Sequence, residues 1–140
     1  MARAYIALGS NLGDRAANLA LARHGLAQLT ETRVLRTSTV EETAPLGGRE
    51  QPAYLNQMVL IETALSPREL LAACQAIERR AGRIRAVADR WASRTLDLDI
   101  VRFGSRQVRE PGLTIPHPAL PERVFWQREI AEIDAHDERD

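Results

Sequence analysis

Apolar and polar residues recur along this chain in patterns that predict strands and helices in turn. Short runs rich in apolar and β-branched residues predict strands, at residues 4–8, 33–42, 54–64 and 96–103. Apolar residues spaced three and four apart predict helices at about 14–29 and 67–81, and a third helix is expected near 121–133. The order is therefore βαββαβ followed by a C-terminal extension.

The second predicted helix has the clearest boundaries. Ser66 is a suitable N-cap, Pro67 fits the first helical position, and Glu69 completes a capping box with the serine. Gly82 can end the helix, because glycine readily adopts the backbone conformation of a helix C-terminus. Prolines and glycines, by contrast, predict a long loop between the second and third strands.

Two helices interleaved among four strands are typical of a ferredoxin-like α+β sandwich, in which the helices cover one face of the sheet. With 140 residues and a hydrophobic content of 44%, the chain suits a single domain over residues 1–140. Residues 134–140 are polar and are expected to form a frayed tail.

The composition of the chain indicates its expected location in the cell and its expected partners. No run approaches the ~20 apolar residues of a membrane span, and the N-terminus enters the first strand without a signal-peptide pattern. We therefore expect a cytoplasmic protein without a membrane partner. The formal net charge is +0, which offers no general positive field for nucleic acid. The single cysteine, Cys74, lies in an apolar helical pattern and is expected to be a packed thiol.

All 19 basic residues are arginine, and the chain contains no lysine. Mechanisms that need a lysine are therefore excluded, and anions must be bound by arginine, backbone N–H groups or metal. Arginines are concentrated before the last predicted strand, at Arg79, Arg80, Arg83, Arg85, Arg90 and Arg94. Such a cluster can neutralise a polyphosphate through bidentate contacts. A nucleic-acid patch with Trp91 as a stacking platform is the alternative, which the net neutrality disfavours.

The last predicted strand carries two aspartates on one side. Because side chains alternate along a strand, Asp97 and Asp99 face one way, roughly 6–7 Å apart, and Leu98 faces the other. Hard divalent cations such as Mg²⁺ bind such oxygen ligands together with substrate phosphates, which predicts a two-metal phosphoryl-transfer site. The alternative is an ordinary solvent-facing side of an amphipathic strand, which the neighbouring arginine cluster disfavours.

Three further features are candidates for ligand contact. His117 lies between two prolines that restrict the backbone, which suits either a rigid ligand contact or a structural role. Tyr54 and Phe125 border predicted loops and turns, where they could stack on a flat heterocycle or belong to the core. The turn at residues 9–14 lacks the glycine spacing of a phosphate loop, so we interpret it as a structural entry into the first helix.

Seven segments follow one another in a specific order over about residues 4–125, at positions 5–13, 43–47, 51–56, 82–83, 90–91, 94–99 and 116–118. The run Arg94-Thr95-Leu96-Asp97-Leu98-Asp99-Ile100 is the most specific of them, whereas the opening Gly-Ser-Asn-Leu-Gly alone is weak. Taken together, they closely resemble the 6-hydroxymethyl-7,8-dihydropterin pyrophosphokinase family of folate synthesis. The sequence departs from the family pattern at Ala44, at Ala92 and Ser93, and after Phe125.

The resemblance implies a reaction and a set of residue roles. ATP, as co-substrate, would give its terminal pyrophosphoryl group to the hydroxymethyl oxygen of the pterin, with release of AMP. The implied catalytic residues are Arg83, Arg94, Asp97 and Asp99, of which the two aspartates would bind two Mg²⁺ ions. The implied ATP-binding residues are Gln75, Glu78, Arg85, Trp91, Arg94, Ile100, Thr114, His117 and Arg123. The implied pterin-binding residues are Thr43, Pro45, Leu46, Tyr54, Asn56, Trp91 and Phe125.

Two other classes of function remain open from the residues alone. A non-catalytic ferredoxin-like module could bind a ligand, because that fold carries many functions. A small nucleic-acid-binding protein could use the arginine cluster. Turnover of ATP discriminates against the first class, and oligonucleotide binding tests the second. We predict a monomeric enzyme that binds small molecules and no nucleic acid.

Overall fold

The computed structural model describes residues 1–44, 52–82 and 95–138. Within these ranges the strands are β1 (Ala2–Ser10), β2 (Thr32–Thr37), β3 (Glu41–Thr43), β4 (Tyr54–Thr63), β5 (Asp97–Phe103), β6 (Val108–Glu110) and β7 (Leu113–Ile115). The helices are α1 (Arg15–Ala27), α2 (Pro67–Gly82) and α3 (Val124–Glu138). None of these described helices has the length and apolar character needed to cross a bilayer.

The larger sheet is antiparallel and has the strand order β2-β4-β1-β5. β3 extends this sheet by pairing with β4 from Tyr54 to Asn56. β6 and β7 form a separate two-stranded hairpin. The two helices interleaved with the four long strands confirm the predicted ferredoxin-like α+β fold.

The sheet is apolar on both faces, so helices pack on both sides of it. Ile6 and Leu8 of β1 pack with Leu26 of α1 and Ile77 of α2 in one core cluster. Ala7 of the same strand faces the opposite way and belongs to a second cluster, which includes the buried side of α3. Thus α1 and α2 cover one face, as the sequence predicted, and the C-terminal helix covers the other.

The continuous strand predicted at residues 33–42 is wrong, because β2 and β3 are separated by three residues that do not pair regularly. At this break the Ser38 backbone N–H donates to the Met58 carbonyl over 2.9 Å. The Ser38 hydroxyl oxygen also accepts the Met58 N–H over 2.8 Å, in place of a backbone carbonyl. Regular pairing with β4 resumes at Glu41, so a side chain interrupts the ladder without leaving a backbone donor unsatisfied.

The proline-rich connection after β5 contains the β6–β7 hairpin, which the sequence did not predict. The hairpin turns at Gly112, whose φ of +74° favours glycine. After it, α3 begins at Val124 rather than near residue 121 and continues to Glu138. Residues 134–138 of the expected tail are therefore helical in the structure.

Candidate active site

A cavity of about 360 Å³ opens on the sheet face covered by α3, beyond the N-terminal end of that helix. Polar and aromatic side chains surround small residues of β1, and the lining consists of Ala7, Leu8, Gly9, Thr43, Tyr54, Asn56, Glu78, Asp97, Asp99, Arg123, Phe125 and Trp126. The volume lies within the range of small-molecule sites, roughly 300–1,000 Å³. The cavity therefore suits a small ligand with both polar and flat aromatic parts.

The floor of the cavity follows from the pairing of three neighbouring strands. Gly9 of β1 pairs with Asn56 on one side and with Asp97 on the other. A Cβ atom added at Gly9 would lie 3.5 Å from Asn56 Oδ1 and 3.6 Å from the Tyr54 ring. A larger side chain at this position would therefore occupy space between the polar groups of β4 and β5.

Asp97 and Asp99 both line this cavity, so they share one side of β5, as the alternation predicted. Among the residues that the structure describes, no group of three or more His, Cys, Asp or Glu side chains could hold a metal ion. Two carboxylates nevertheless suit Mg²⁺, which commonly binds one or two of them and completes its octahedron with water and substrate phosphates. The acidic pair therefore fits a metal that arrives with a phosphorylated substrate.

His117 is held beside this pair by contacts on three sides. Its backbone N–H donates to the Val101 carbonyl over 2.9 Å, and its Nδ1 accepts the Ala119 N–H over 3.0 Å. Its ring meets the Trp126 ring edge-on, with 5.0 Å between centroids. Because Nδ1 accepts, the neutral imidazole carries its proton on Nε2, which lies 3.7 Å from Asp99 Oδ1. A donor therefore points towards the side of the cavity where phosphate would meet Asp99.

A second cavity of about 250 Å³ adjoins the first. It is lined by residues of α2, β5, the hairpin and the segment that follows it, namely Leu71, Leu98, Asp99, Ile100, Gly112, Leu113, Thr114, His117 and Pro118. Asp99 lines both cavities. Ile100, Thr114 and His117, three residues predicted to bind ATP, meet in the second cavity, although they come from separate parts of the chain.

The described residues predicted to bind the pterin meet in the first cavity. Tyr54 and Phe125 supply flat aromatic groups, and Asn56 and Thr43 supply polar atoms. The Asn56 Nδ2 donates to Thr43 Oγ1 over 2.6 Å, which fixes the orientation of the amide. The Asn56 Oδ1 lies beside the cavity floor, 3.5 Å from where a Cβ atom at Gly9 would be, and remains an amide acceptor there.

The three remaining described candidates, Gln75, Glu78 and Arg123, differ in their position relative to the two cavities. Glu78 lines the first cavity, and its Oε2 accepts the Leu98 backbone N–H over 2.7 Å on the outer edge of β5. Gln75 is exposed on α2 and lines neither of these two cavities. Arg123 lines the first cavity, where its guanidinium carbon lies 4.4 Å from the centroid of the Trp126 ring. The hydrogen bond from Leu98 also gives Glu78 a structural contact, which the sequence did not suggest.

Several predicted site residues lie outside the described ranges, namely Pro45, Leu46, Arg83, Arg85, Trp91 and Arg94. Cys74, for which no role was predicted, is fully buried in the core. Burial, reinforced by the carboxylates of Glu78 and Asp99, raises the pKa of its thiol to about 12. The thiol is therefore protonated at neutral pH, as expected of a packing residue.

The sequence analysis missed three contributors to the site. Ala7 and Gly9 are small residues inside an apolar strand, and only their pairing with β4 and β5 shows that they form the cavity floor. Trp126 was assigned to the departure from the family pattern, yet it lines the first cavity and contacts His117. The sequence signal for a role of Trp126 in the site was that it directly follows Phe125, a predicted pterin-binding residue.

Comparison with known proteins identifies the family of this chain. The family model of 7,8-dihydro-6-hydroxymethylpterin-pyrophosphokinase matches residues 5–135. A 2-amino-4-hydroxy-6-hydroxymethyldihydropteridine pyrophosphokinase of Bacillus subtilis is 45% identical over 93% of this chain and 77% of its own length. Enzymes of the same name from Methylorubrum extorquens and Pseudomonas aeruginosa are 41% and 39% identical, over 95% and 94% of this chain and 83% and 80% of their own lengths. The chain therefore belongs to the hydroxymethyldihydropterin pyrophosphokinase family.

Proposed function

We propose that this chain transfers the terminal pyrophosphoryl group of ATP to 6-hydroxymethyl-7,8-dihydropterin in folate biosynthesis. The observation that carries the proposal is the pair of adjoining cavities that share Asp99. One cavity has the aromatic and amide groups that suit a pterin, and the other collects candidates for binding ATP. An enzyme that joins two small substrates needs this arrangement, because the reacting atoms must be held within about 3–3.5 Å.

The pterin occupies the first cavity in this proposal. Tyr54 and Phe125 stack on its fused rings, while Asn56 and Thr43 hydrogen-bond to its polar edge. The family resemblance adds Pro45, Leu46 and Trp91 to these contacts. The hydroxymethyl group then points along the sheet towards Asp97, because Asp97 and Asn56 flank the same residue of β1.

ATP occupies the second cavity and extends its phosphates towards the acidic pair. Ile100 and Thr114 contact the nucleoside, and the Nε2–H of His117 donates to a phosphate oxygen. Gln75, Glu78, Arg85, Trp91 and Arg123 are the further contacts that the resemblance implies. The resemblance assigns Arg83 and Arg94 to the phosphates during transfer, and arginine suits this role because its planar guanidinium makes bidentate contacts with phosphate oxygens.

Asp97 and Asp99 are the residues that would hold two Mg²⁺ ions between protein and polyphosphate. Bound ions would supply neutralisation of the charge on the transferring group and its leaving oxygen. The chain itself orients the substrates and excludes water from the space between the cavities. The pterin hydroxyl oxygen forms a bond to the β-phosphorus and releases its proton to solvent. The bond between that phosphorus and the bridging α-phosphate oxygen breaks, and AMP leaves with that oxygen.

The proposal includes a monomer in the cytoplasm that has small-molecule substrates and no nucleic-acid partner. The zero net charge supports the last point, since nucleic-acid binding depends strongly on positive charge. Sedimentation of the purified chain tests the monomer. Titration with a labelled oligonucleotide at low salt tests the absence of nucleic-acid binding.

The decisive experiment combines the protein with magnesium, ATP labelled at the β-phosphate, and the reduced hydroxymethyl pterin. We expect the label in a pterin diphosphate and an equal amount of unlabelled AMP. Omission of magnesium and the Asp97→Asn variant are the matched controls. Labelled ADP together with a pterin monophosphate would refute pyrophosphoryl transfer, and absence of any pterin product would refute the function altogether.

A further inference from the structure

The turn that joins β1 to α1, at residues 9–14, contributes only Gly9 to the proposed site, although the sequence analysis singled it out. Here the turn and the first residues of α1, residues 9–18, are called the β1–α1 junction. Ser10 and Asn11 of this junction are fully or almost fully buried. Buried polar side chains are retained where their hydrogen bonds are satisfied, so their partners indicate what the junction holds.

One set of partners lies at the start of β5. The Asn18 Nδ2 donates to the Thr95 carbonyl over 3.1 Å and to the Leu12 carbonyl over 3.0 Å. Ser10 Oγ also donates to the Thr95 carbonyl and accepts from Asn18 Nδ2. Because its nitrogen donates to two backbone carbonyls, the Asn18 amide is oriented with Nδ2 towards Thr95. Two side chains of the junction therefore converge on one carbonyl, two residues before Asp97.

A different set of partners lies at the start of β4. The Arg15 Nη1 donates to the Ala53 carbonyl and to Glu42 Oε2, over 2.8 Å in each case. Ala53 directly precedes Tyr54, and Glu42 directly precedes Thr43. Arg15 thus ties together the two strands that present the aromatic and polar groups of the proposed pterin site.

The two strand starts need such support because each lies at the end of a ladder. The pair of Gly9 with Asp97 is the last pair between β1 and β5, and β5 is the edge strand of the sheet. The pair of Thr43 with Tyr54 is likewise the last between β3 and β4. Terminal pairs open readily, and a shift of about 1 Å at a reacting group can cost roughly 100-fold in rate.

We propose that the β1–α1 junction positions the two halves of the active site independently. Asn18 and Ser10 hold the start of β5 and so position Asp97 for metal and phosphate. Arg15 holds the start of β4 and the end of β3 and so positions Tyr54 and Thr43 for the pterin. This inference rests on the proposed function, because it assigns metal binding to β5 and pterin binding to β4.

The test uses two alanine variants in the first turns of α1. Asn18→Ala removes the donors to Thr95, and Arg15→Ala removes the donors to Ala53 and Glu42. We expect Asn18→Ala to weaken Mn²⁺ binding about tenfold, as loss of a supporting contact behind a metal ligand does, with the pterin Kd unchanged. We expect Arg15→Ala to raise the pterin Kd about fivefold, the effect of one ordinary hydrogen bond, with Mn²⁺ binding unchanged. Arg15→Lys, which keeps a donor, should restore part of the pterin affinity.

Both constants are measured at equilibrium, with Mn²⁺ followed by electron paramagnetic resonance in the presence of a non-hydrolysable ATP analogue, and pterin followed by its fluorescence. Thr32→Ala is the control for general destabilisation, because it removes a hydrogen bond of 2.6 Å to Thr63 in a strand pair remote from the cavities. Thermal unfolding is measured for every variant. Thr32→Ala is expected to lower the unfolding temperature without changing either constant.

The outcomes separate this inference from the proposed function. If the unaltered chain forms no pterin diphosphate, the proposed function fails, while the two titrations still decide the role of the junction. Unchanged constants in both alanine variants would overturn the inference. So would a parallel loss of both affinities in each variant, or an unaltered chain that binds neither Mn²⁺ nor pterin.

Discussion

Replacing Glu129 by glutamine is expected to stabilise the protein relative to the unaltered chain as the pH rises. Glu129 lies on α3 and is only 2% exposed, and its carboxyl is close enough to that of Glu41 to share a proton with it by hydrogen bonding. Burial raises the pKa of Glu129 to about 9, with further contributions from the nearby Glu41 and Glu132 carboxyls and partial compensation by Arg128. The folded protein therefore keeps this proton at neutral pH.

The direction of the pH dependence follows from the two states. The unfolded chain releases the proton near the ordinary value of 4.5, whereas the folded chain holds it up to about pH 9. The stabilising contribution is thus complete below the unfolded pKa and declines as the pH rises towards the folded pKa. Each pH unit in this window corresponds to about 1.4 kcal/mol, or about 4 kcal/mol between pH 5 and pH 8. The measured change should approach this value, because the folded chain stays protonated at Glu129 throughout this pH range.

Urea unfolding at pH 5, 6.5 and 8 measures this effect as the difference in free energy between Glu129→Gln and the unaltered chain. The buried amide costs a constant amount at every pH, so the change in the difference isolates the carboxyl. Glu122→Gln is the matched control, because an exposed carboxylate is solvated in both states. A difference between Glu129→Gln and the unaltered chain that does not change with pH would refute the reasoning.

The remaining predictions concern activity. Asp97→Asn and Asp99→Asn should each lower turnover by about 100-fold or more with little change in unfolding temperature, because several kcal/mol of charge stabilisation depend on the bound cations; near-normal magnesium-dependent rates would contradict the two-metal assignment. Arg94→Ala should lower turnover more than pterin affinity in steady-state and fluorescence measurements, and an effect on pterin binding alone would show that Arg94 does not contact phosphate. Gly9→Val should raise the pterin Kd at least about tenfold, because its methyl groups would occupy the cavity floor, and an unchanged Kd would place the pterin elsewhere.

Local patterns in the sequence were sufficient to predict the main elements and the acidic pair. The capping box at Ser66 and Glu69 is present, with Ser66 N–H donating to Glu69 Oε1 over 2.8 Å and Glu69 N–H donating to Ser66 Oγ over 3.2 Å. Strand alternation similarly placed Asp97 and Asp99 on one side of β5. Both predictions depend on residues within one element, where the periodicity of the backbone determines the geometry.

Features that depend on contacts between distant segments could not be predicted in the same way. The break at residue 38 exists because a serine side chain bonds to a strand that lies about twenty residues away in the sequence, over 2.8 Å. The β6–β7 hairpin is only three residues long in each strand, so its alternation was too short to recognise. The meeting of Ile100, Thr114 and His117 in one cavity requires that hairpin, and so depended on information beyond local pattern.

A β-bulge in β5 explains how the acidic pair and the core can share one strand. Tyr5 of β1 pairs with Arg102 and the next residue, Ile6, pairs with Ile100, so Val101 has no partner of its own. Val101 follows Asp97 and Asp99 onto the α3 side, where it belongs to the core cluster of Trp126. The extra residue returns Phe103 to the opposite cluster.

The same bulge brings His117 to the site. The Val101 carbonyl accepts the His117 backbone N–H, and the imidazole then lies 3.7 Å from Asp99. The adjacent apolar pair Ile100-Val101 does not by itself indicate a bulge, because strands buried on both faces, such as β1 and β4, contain longer apolar runs with regular pairing. The inserted residue Val101 therefore anchors α3 through its side chain and holds His117 through its carbonyl, while the regular pairing before it presents the two carboxylates to the cavity.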